Sequence, residues 1–229
     1  MQSVKVTRER PVEPKRGYDD ACGTAHGLEL IGERWALLVL RELMLGPRRF
    51  SELKSDLPGI SANVLTQRLN ELEGKGLVAR KRLPPPANVQ VYEATSWGLE
   101  AEPLIQSLGR WAARSPRHDP TLPLSGVSIL LSFKTMIDPK RARKLDARIG
   151  FRFGRDTYVA RLKKGAIKVT RGPIKDCDLL FECAPTALAA VVYGGQPLEL
   201  VEVVGDHSLA ERFVTLFPLP QKVSAADGH

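Results

Sequence analysis

Asn63, Gln67 and Asn70 fall on one face of residues 61–74, while Leu65, Leu69 and Leu72 fall on the other. Two such faces make an amphipathic helix. Thr66 and Arg68 flank the polar side, and no acid enters it before Glu71. These residue types suit one chemistry. Side-chain amides pair bidentately with adenine in a major groove, and a guanidinium pairs with guanine. Read alone, the same face is that of any solvated helix. A little further on, Arg80-Lys81-Arg82 sets three cations in succession. Cations of this kind meet phosphate oxygens, which fix register and supply affinity without reading sequence. A basic triplet by itself is equally a solvated surface.

The elements around these residues narrow the choice. Phe50–Leu57 reads as a short helix with Phe50, Leu53 and Leu57 on one side. Pro58-Gly59-Ile60 breaks it, and Ser61 can cap the next helix by accepting from its orphan backbone N–H groups. That helix ends in Glu73-Gly74-Lys75-Gly76, where glycine permits a left-handed cap. Strand patterns follow at Leu77–Leu83 and Val89–Thr95, joined through Pro84-Pro85-Pro86. Two short helices across a tight glycine-containing turn form the helix-turn-helix signature. The hairpin adds a wing with a basic strand. Helical patterns flank the unit at 20–45, broken near Gly32, and at 97–114. In the latter, Trp97, Leu99, Leu104, Leu108 and Trp111 make an apolar stripe. The stripe suits either a core within the domain or a subunit interface.

Residues Asp20–Pro116 resemble the HxlR-type winged-helix transcription regulators, relatives of the MarR group. The resemblance rests on Leu28–Leu40, Arg49–Leu53, Gly59-Ile60-Ser61, Leu65–Leu69 and Leu72–Val78. It implies a homodimer joined through the flanking helices, about 20–31 and 97–114, acting on double-stranded DNA. On this reading Asn63, Thr66 and Gln67 meet base edges, with Lys54, Ser61 and Arg68 nearer phosphate. Arg80, Lys81 and Arg82 place the wing on the backbone. A cysteine at the position of Cys22 is common in the resembling family and in some members senses oxidants or electrophiles. Gly23 follows it here, where the family often has proline. Cys22 reads as a redox site or as a structural thiol. Amide N–H groups at a helix start favour its thiolate, and Asp19 and Asp20 oppose it.

Composition sets the outer limits. The 229 residues are 43% hydrophobic and 26% charged, which excludes wholesale disorder and a collagen-like chain. The net charge of +8 divides as +3 over residues 1–116 and +5 over 117–229. Charge alone therefore does not single out a DNA-binding half. The longest apolar runs, Trp35–Leu40 and Ala187–Tyr193, fall far short of the roughly 20 residues of a membrane span. The N-terminus lacks the apolar stretch of a secretory signal. With three cysteines no disulfide framework is suggested, and a cytoplasmic location is expected.

Residues 1–17 read as a loose arm, 18–116 as the winged domain, 117–124 as a linker rich in proline, 125–220 as a second domain and 221–229 as a tail. The second domain shows strand patterns at 145–153, 158–162, 167–170, 177–183 and 198–204, and helices at 186–193 and 208–216. Residues 125–137 fit a strand or a helix. Cys177 and Cys183, read on one strand, would stand roughly 20 Å apart, too far for a disulfide. No nucleophile–base pair, clustered carboxylates, phosphate loop or metal-ligand spacing is visible, so no catalytic residue, cofactor or metal is expected. The segment resembles a sterol-carrier-protein-like domain through Phe151-Arg152-Phe153-Gly154, Asp178–Glu182 with the helix after it, and Val204-Gly205-Asp206 followed by Leu209–Pro220. That resemblance implies an apolar cavity and a hydrophobic effector. A filled core is the other reading of the same positions.

The fold class expected is α+β: a winged helix-turn-helix followed by an α+β sterol-carrier-like domain with a mainly antiparallel sheet. The function expected is a dimeric, sequence-specific transcription regulator modulated by a hydrophobic effector. The alternatives are a lipid or hydrophobe carrier whose winged domain mediates protein association, and a thiol redox sensor acting through Cys22.

Overall fold

The computed structural model describes residues 17–224. The expected arm, apart from Gly17, and the last five residues of the expected tail lie outside them. In the N-terminal unit, α1 (Gly23–Ile31), α2 (Ala36–Leu43), α3 (Phe50–Asp56) and α4 (Ala62–Gly74) precede a hairpin of β1 (Val78–Arg82) and β2 (Gln90–Ala94). Two further helices, α5 (Ser96–Leu99) and α6 (Glu102–Ala112), replace the single helix expected at 97–114. The break coincides with Pro103 at the start of α6, a position that tolerates a missing N–H.

Residues 125–137 form α7 (Gly126–Met136), which Ser125 caps by accepting from the Ser128 N–H at 3.0 Å. The ambiguity has a physical source. Val127, Ile129, Leu130, Leu131, Phe133 and Met136 are all buried, because α7 packs against α2, α6, α9 and β5. A helix covered on all sides carries no polar stripe to reveal its period. The short α8 (Pro139–Ala142) follows. Then β3 (Asp146–Phe153), β4 (Asp156–Lys163) and β5 (Ala166–Arg171) run as a meander, followed by β6 (Leu179–Glu182), α9 (Pro185–Gly194), β7 (Glu202–Gly205) and α10 (His207–Val214). The order across the sheet is β5-β4-β3-β6-β7. Three of the four pairings are antiparallel and β3–β6 is parallel. The run expected as one strand at 198–204 begins as a 3₁₀ turn at Leu198–Leu200. The molecule is thus a mixed α+β chain with a helix-turn-helix unit first and a sheet-rich unit second.

Between sheet and helices the second unit carries a cluster of aromatic rings. Phe133 stacks on Phe217 at 4.4 Å and meets Phe213 edge-on at 5.5 Å. Phe151 stacks on Phe181 at 5.7 Å. Aromatic pairs of this kind add about 0.5–1.5 kcal/mol each beyond their area burial. A cleft of about 330 Å³ lies elsewhere, between the two units, lined in part by Asp56, Pro58, Pro123, Leu124, Phe153 and Pro185.

The two units are not strung apart. Helices α6 and α7 pack side by side: Lys134 pairs with Glu102, and Arg110 donates to the Thr135 carbonyl at 3.1 Å. Glu42, fully buried on α2, accepts from the Ser125 hydroxyl at 2.9 Å and pairs with Arg41 at 2.6 Å. The chain end returns to the same junction, where the Val223 N–H donates to the Arg114 carbonyl at 2.9 Å.

Candidate nucleic-acid interface

Helix α4 is held by its apolar side. Leu65, Leu69 and Leu72 are buried beneath it against α2 and the wing. Its entry is fixed by Ser61, whose hydroxyl accepts from the Val64 N–H at 3.2 Å. Upstream, the Glu52 carboxylate accepts from the Arg49 N–H at 2.8 Å and closes the start of α3. The turn between the helices needs glycine at one point. Gly59 has φ +89°, in the left-handed region that side chains disfavour. At the far end, the Lys75 ammonium donates to the Glu29 carbonyl at 2.6 Å and the Leu30 carbonyl at 3.1 Å. A cation on the last carbonyls of α1 also complements that helix's dipole.

With the apolar side down, Asn63, Thr66, Gln67 and Asn70 are exposed on the outer face of α4. Three of the four, Thr66, Gln67 and Asn70, make hydrogen bonds within the helix or to the wing. The Thr66 hydroxyl donates to the Ala62 carbonyl at 2.9 Å, and the Gln67 amide donates to Glu71 at 2.9 Å. Ser61 is exposed as well, and Lys54 is half-buried on α3. Arg68 differs from the expectation. It is only 7% exposed, pairing with Glu71 at 2.6 Å and Glu33 at 3.3 Å. Its angular position on the helix places it at the boundary, and Glu33 draws it inward. It is therefore not offered to phosphate.

The wing is joined to this face. Arg80 donates to Asn70 and to Glu73, each at 3.0 Å, and its guanidinium lies 5.4 Å from the centre of the Tyr92 ring. Lys81 pairs across the hairpin with Glu93, and Arg82 donates to Asn88 at 2.8 Å near the tip. All three cations are exposed. Thr95 anchors the base of the wing, donating to the Gly76 carbonyl at 2.8 Å and accepting from the Gly98 N–H at 3.0 Å.

Sequence reasoning missed Arg48. Its backbone exchanges two hydrogen bonds of 2.8 Å with Tyr92, adding a bridge to the outer edge of β2. Its side chain, only 2% exposed, pairs with Asp56 at the end of α3 and with Asp156 at the start of β4. No local pattern marks an arginine whose partner lies 108 residues away.

All five residues of the expected apolar stripe are exposed: Trp97 and Leu99 on α5, and Leu104, Leu108 and Trp111 on α6, the last three at 59%, 47% and 71%, while the neighbouring Ile105 packs on the core. Cys22 stands exposed before α1. The Thr24 backbone N–H, the Thr24 hydroxyl and the Ala25 N–H hold its thiol below the usual value. Among the described residues, no group of three or more His, Cys, Asp or Glu is placed to hold a metal ion. No helix among them is long and apolar enough to cross a membrane.

A helix-turn-helix with an outward polar face and a basic hairpin beside it defines a DNA-binding domain of the winged type. Residues 30–119 match the HxlR-like helix-turn-helix family, and the chain belongs to that family. It is 43% identical over 94 residues to the uncharacterized HTH-type transcriptional regulator YkvN of Bacillus subtilis (strain 168), covering 40% of this chain and 77% of that relative. It is 37% identical over 83 residues to the HTH-type transcriptional regulator YodB of the same organism, covering 36% and 74%. The solved reduced form of B. subtilis YodB aligns at 33% identity, covering 43% of this chain and 98% of that one, with a TM-score of 0.39. The relatives are transcription regulators, and the sheet-rich unit lies beyond the matched segment.

Proposed function

We propose that the chain is a dimeric, sequence-specific DNA-binding transcription regulator. One observation carries the reading. The exposed amides of α4 and the basic strand of the wing form one continuous surface, joined where Arg80 meets Asn70 at 3.0 Å. On this reading α4 enters the major groove. Asn63, Thr66 and Gln67 face base edges, with Asn70 beside them. Ser61 and Lys54 approach phosphate at the start of the helix, and Arg80, Lys81 and Arg82 do so from the wing. The exposed Leu104, Leu108 and Trp111 support a homodimer through α6, with the recognition helices about 34 Å apart on a roughly palindromic site. If about eight phosphates are neutralised per dimer, log K falls with log salt at a slope near −7. Fluorescence anisotropy of a labelled duplex across a salt series tests this. A slope near zero would contradict it.

A hydrophobic effector remains part of the proposal, in a different place. An aromatic cluster lies between sheet and helices in the second unit, so we place the effector in the cleft between the units. It touches Pro58 in the turn before α4 and Phe153 in the sheet. An effector there matters only if it prefers the free or the DNA-bound arrangement. Equal effector affinity for both forms would remove this part.

A second reading is favoured by the lowered pKa of Cys22, namely a thiol sensor acting from the start of α1. Unchanged DNA binding after oxidation of Cys22 would exclude it.

A further inference from the structure

Arg48 touches the wing, the helix-turn-helix and the sheet-rich unit together. Through its backbone it pairs with Tyr92, on whose ring Arg80 lies. Through its guanidinium it holds Asp56, the last residue of α3, two positions before the turn into α4 begins at Pro58. The same guanidinium meets both oxygens of Asp156, at 2.9 and 2.8 Å, from the start of β4. Asp156 is itself steadied from the sheet: Arg171 stands 3.8 Å away and donates to the Tyr158 hydroxyl at 2.9 Å.

The charges tie this junction together. A buried guanidinium needs its partners, because an unpaired charge in a low-dielectric site is strongly disfavoured. Nη1 reaches both oxygens of Asp156 while Nη2 reaches Asp56, so the two ends of one planar guanidinium are tied to different units. Asp56 and Asp156 share one fork, so a displacement of Asp156 is transmitted to the end of α3 and to the β2 edge. Those two elements set the angle between α4 and the wing.

We infer that Asp156, from outside the winged domain, is a positioning residue for DNA recognition. It acts through Arg48 to hold the recognition helix and the wing in the arrangement that reads a site. This rests on the DNA-binding reading above. It gives the sheet-rich unit a direct mechanical path to the DNA-facing surface that needs no contact with DNA.

The experiment compares Asp156→Asn, Asp156→Glu and wild type as full-length protein. The first keeps the volume and one acceptor but removes the charge, and the second restores the carboxylate. Operator and random-sequence duplexes are titrated by anisotropy, and backbone amide exchange is followed at residues 50–60 and at Tyr92. For Asp156→Asn the expected result is roughly tenfold weaker operator binding with random-duplex binding nearly unchanged, as loss of one charged partner of a buried pair implies. The salt slope stays as in wild type, amide exchange at 50–60 quickens, and Asp156→Glu recovers most of the operator affinity. Wild-type operator preference in Asp156→Asn would overturn the inference. If wild type itself showed no preference among duplexes, the DNA reading would fail, while amide exchange would still judge the positioning. Unaltered exchange at 50–60 would overturn it.

Discussion

The Arg48 guanidinium meets Asp156 through both carboxylate oxygens, at 2.9 and 2.8 Å, across 108 positions of sequence. This contact closes the gap between a helix-turn-helix and a sheet that share no local sequence signal. It also explains why the proline-rich segment 117–124 does not make the second unit an independent appendage.

Dimerisation is tested at α6. Trp111 is 71% exposed, so Trp111→Glu removes no core packing within one subunit. Sedimentation should show a monomer with an unfolding transition close to wild type. Operator affinity should drop by at least about tenfold, because the second half-site is lost. A variant that remains dimeric would move the interface elsewhere.

Phosphate contacts are tested at the wing. Lys81 is exposed and pairs with Glu93. Lys81→Ala should weaken binding to every duplex alike and lower the magnitude of the salt slope by about 1 to 2 per dimer, one phosphate contact per subunit. A changed preference between two operators would instead make Lys81 a reader of sequence.

The thiols differ in a way that pH resolves. Thr24 and Ala25 hold the Cys22 thiol below the usual value, and burial pushes Cys183 up to about 11. A lower pKa means more thiolate at neutral pH, and the thiolate is the nucleophile. Iodoacetamide at neutral pH should therefore label Cys22 well before Cys183. The Cys22 rate should level off at a lower pH, while that of Cys183 keeps rising toward pH 11. Equal rates at neutral pH would contradict this assignment.

Packing in the second unit is tested at Phe133, which is fully buried and stacks on Phe217. Phe133→Ala should cost about 3–5 kcal/mol in urea unfolding, the usual loss for a filled core. A loss below about 1 kcal/mol would indicate a yielding interior that apolar ligands could occupy.

The sequence was informative where local rules decide the outcome. The leucine period of 65, 69 and 72, the Ser61 cap and the Gly59 turn all depend on near neighbours, and each is present as read. The hairpin and the meander of β3 to β5 follow from alternation and turn residues. What stayed hidden depends on distant partners. Arg68 reads as a surface cation until Glu33 draws it in, and Arg48 until Asp156 reaches it from the sheet. The residues of α7 fit two periods because neighbours cover them on every side. A cavity and a filled core present the same apolar positions in sequence, and the meeting of Phe133, Phe151, Phe181, Phe213 and Phe217 depends on partners far apart along the chain.

The most direct test of sequence-specific recognition is selection from a random duplex library by the purified protein at moderate salt, repeated with Gln67→Ala. Wild type should return a palindromic consensus. Gln67→Ala should relax it at one position in each half-site, at a cost there of about 1–3 kcal/mol. No enrichment by the wild-type protein, or a consensus untouched by Gln67→Ala, would contradict such recognition.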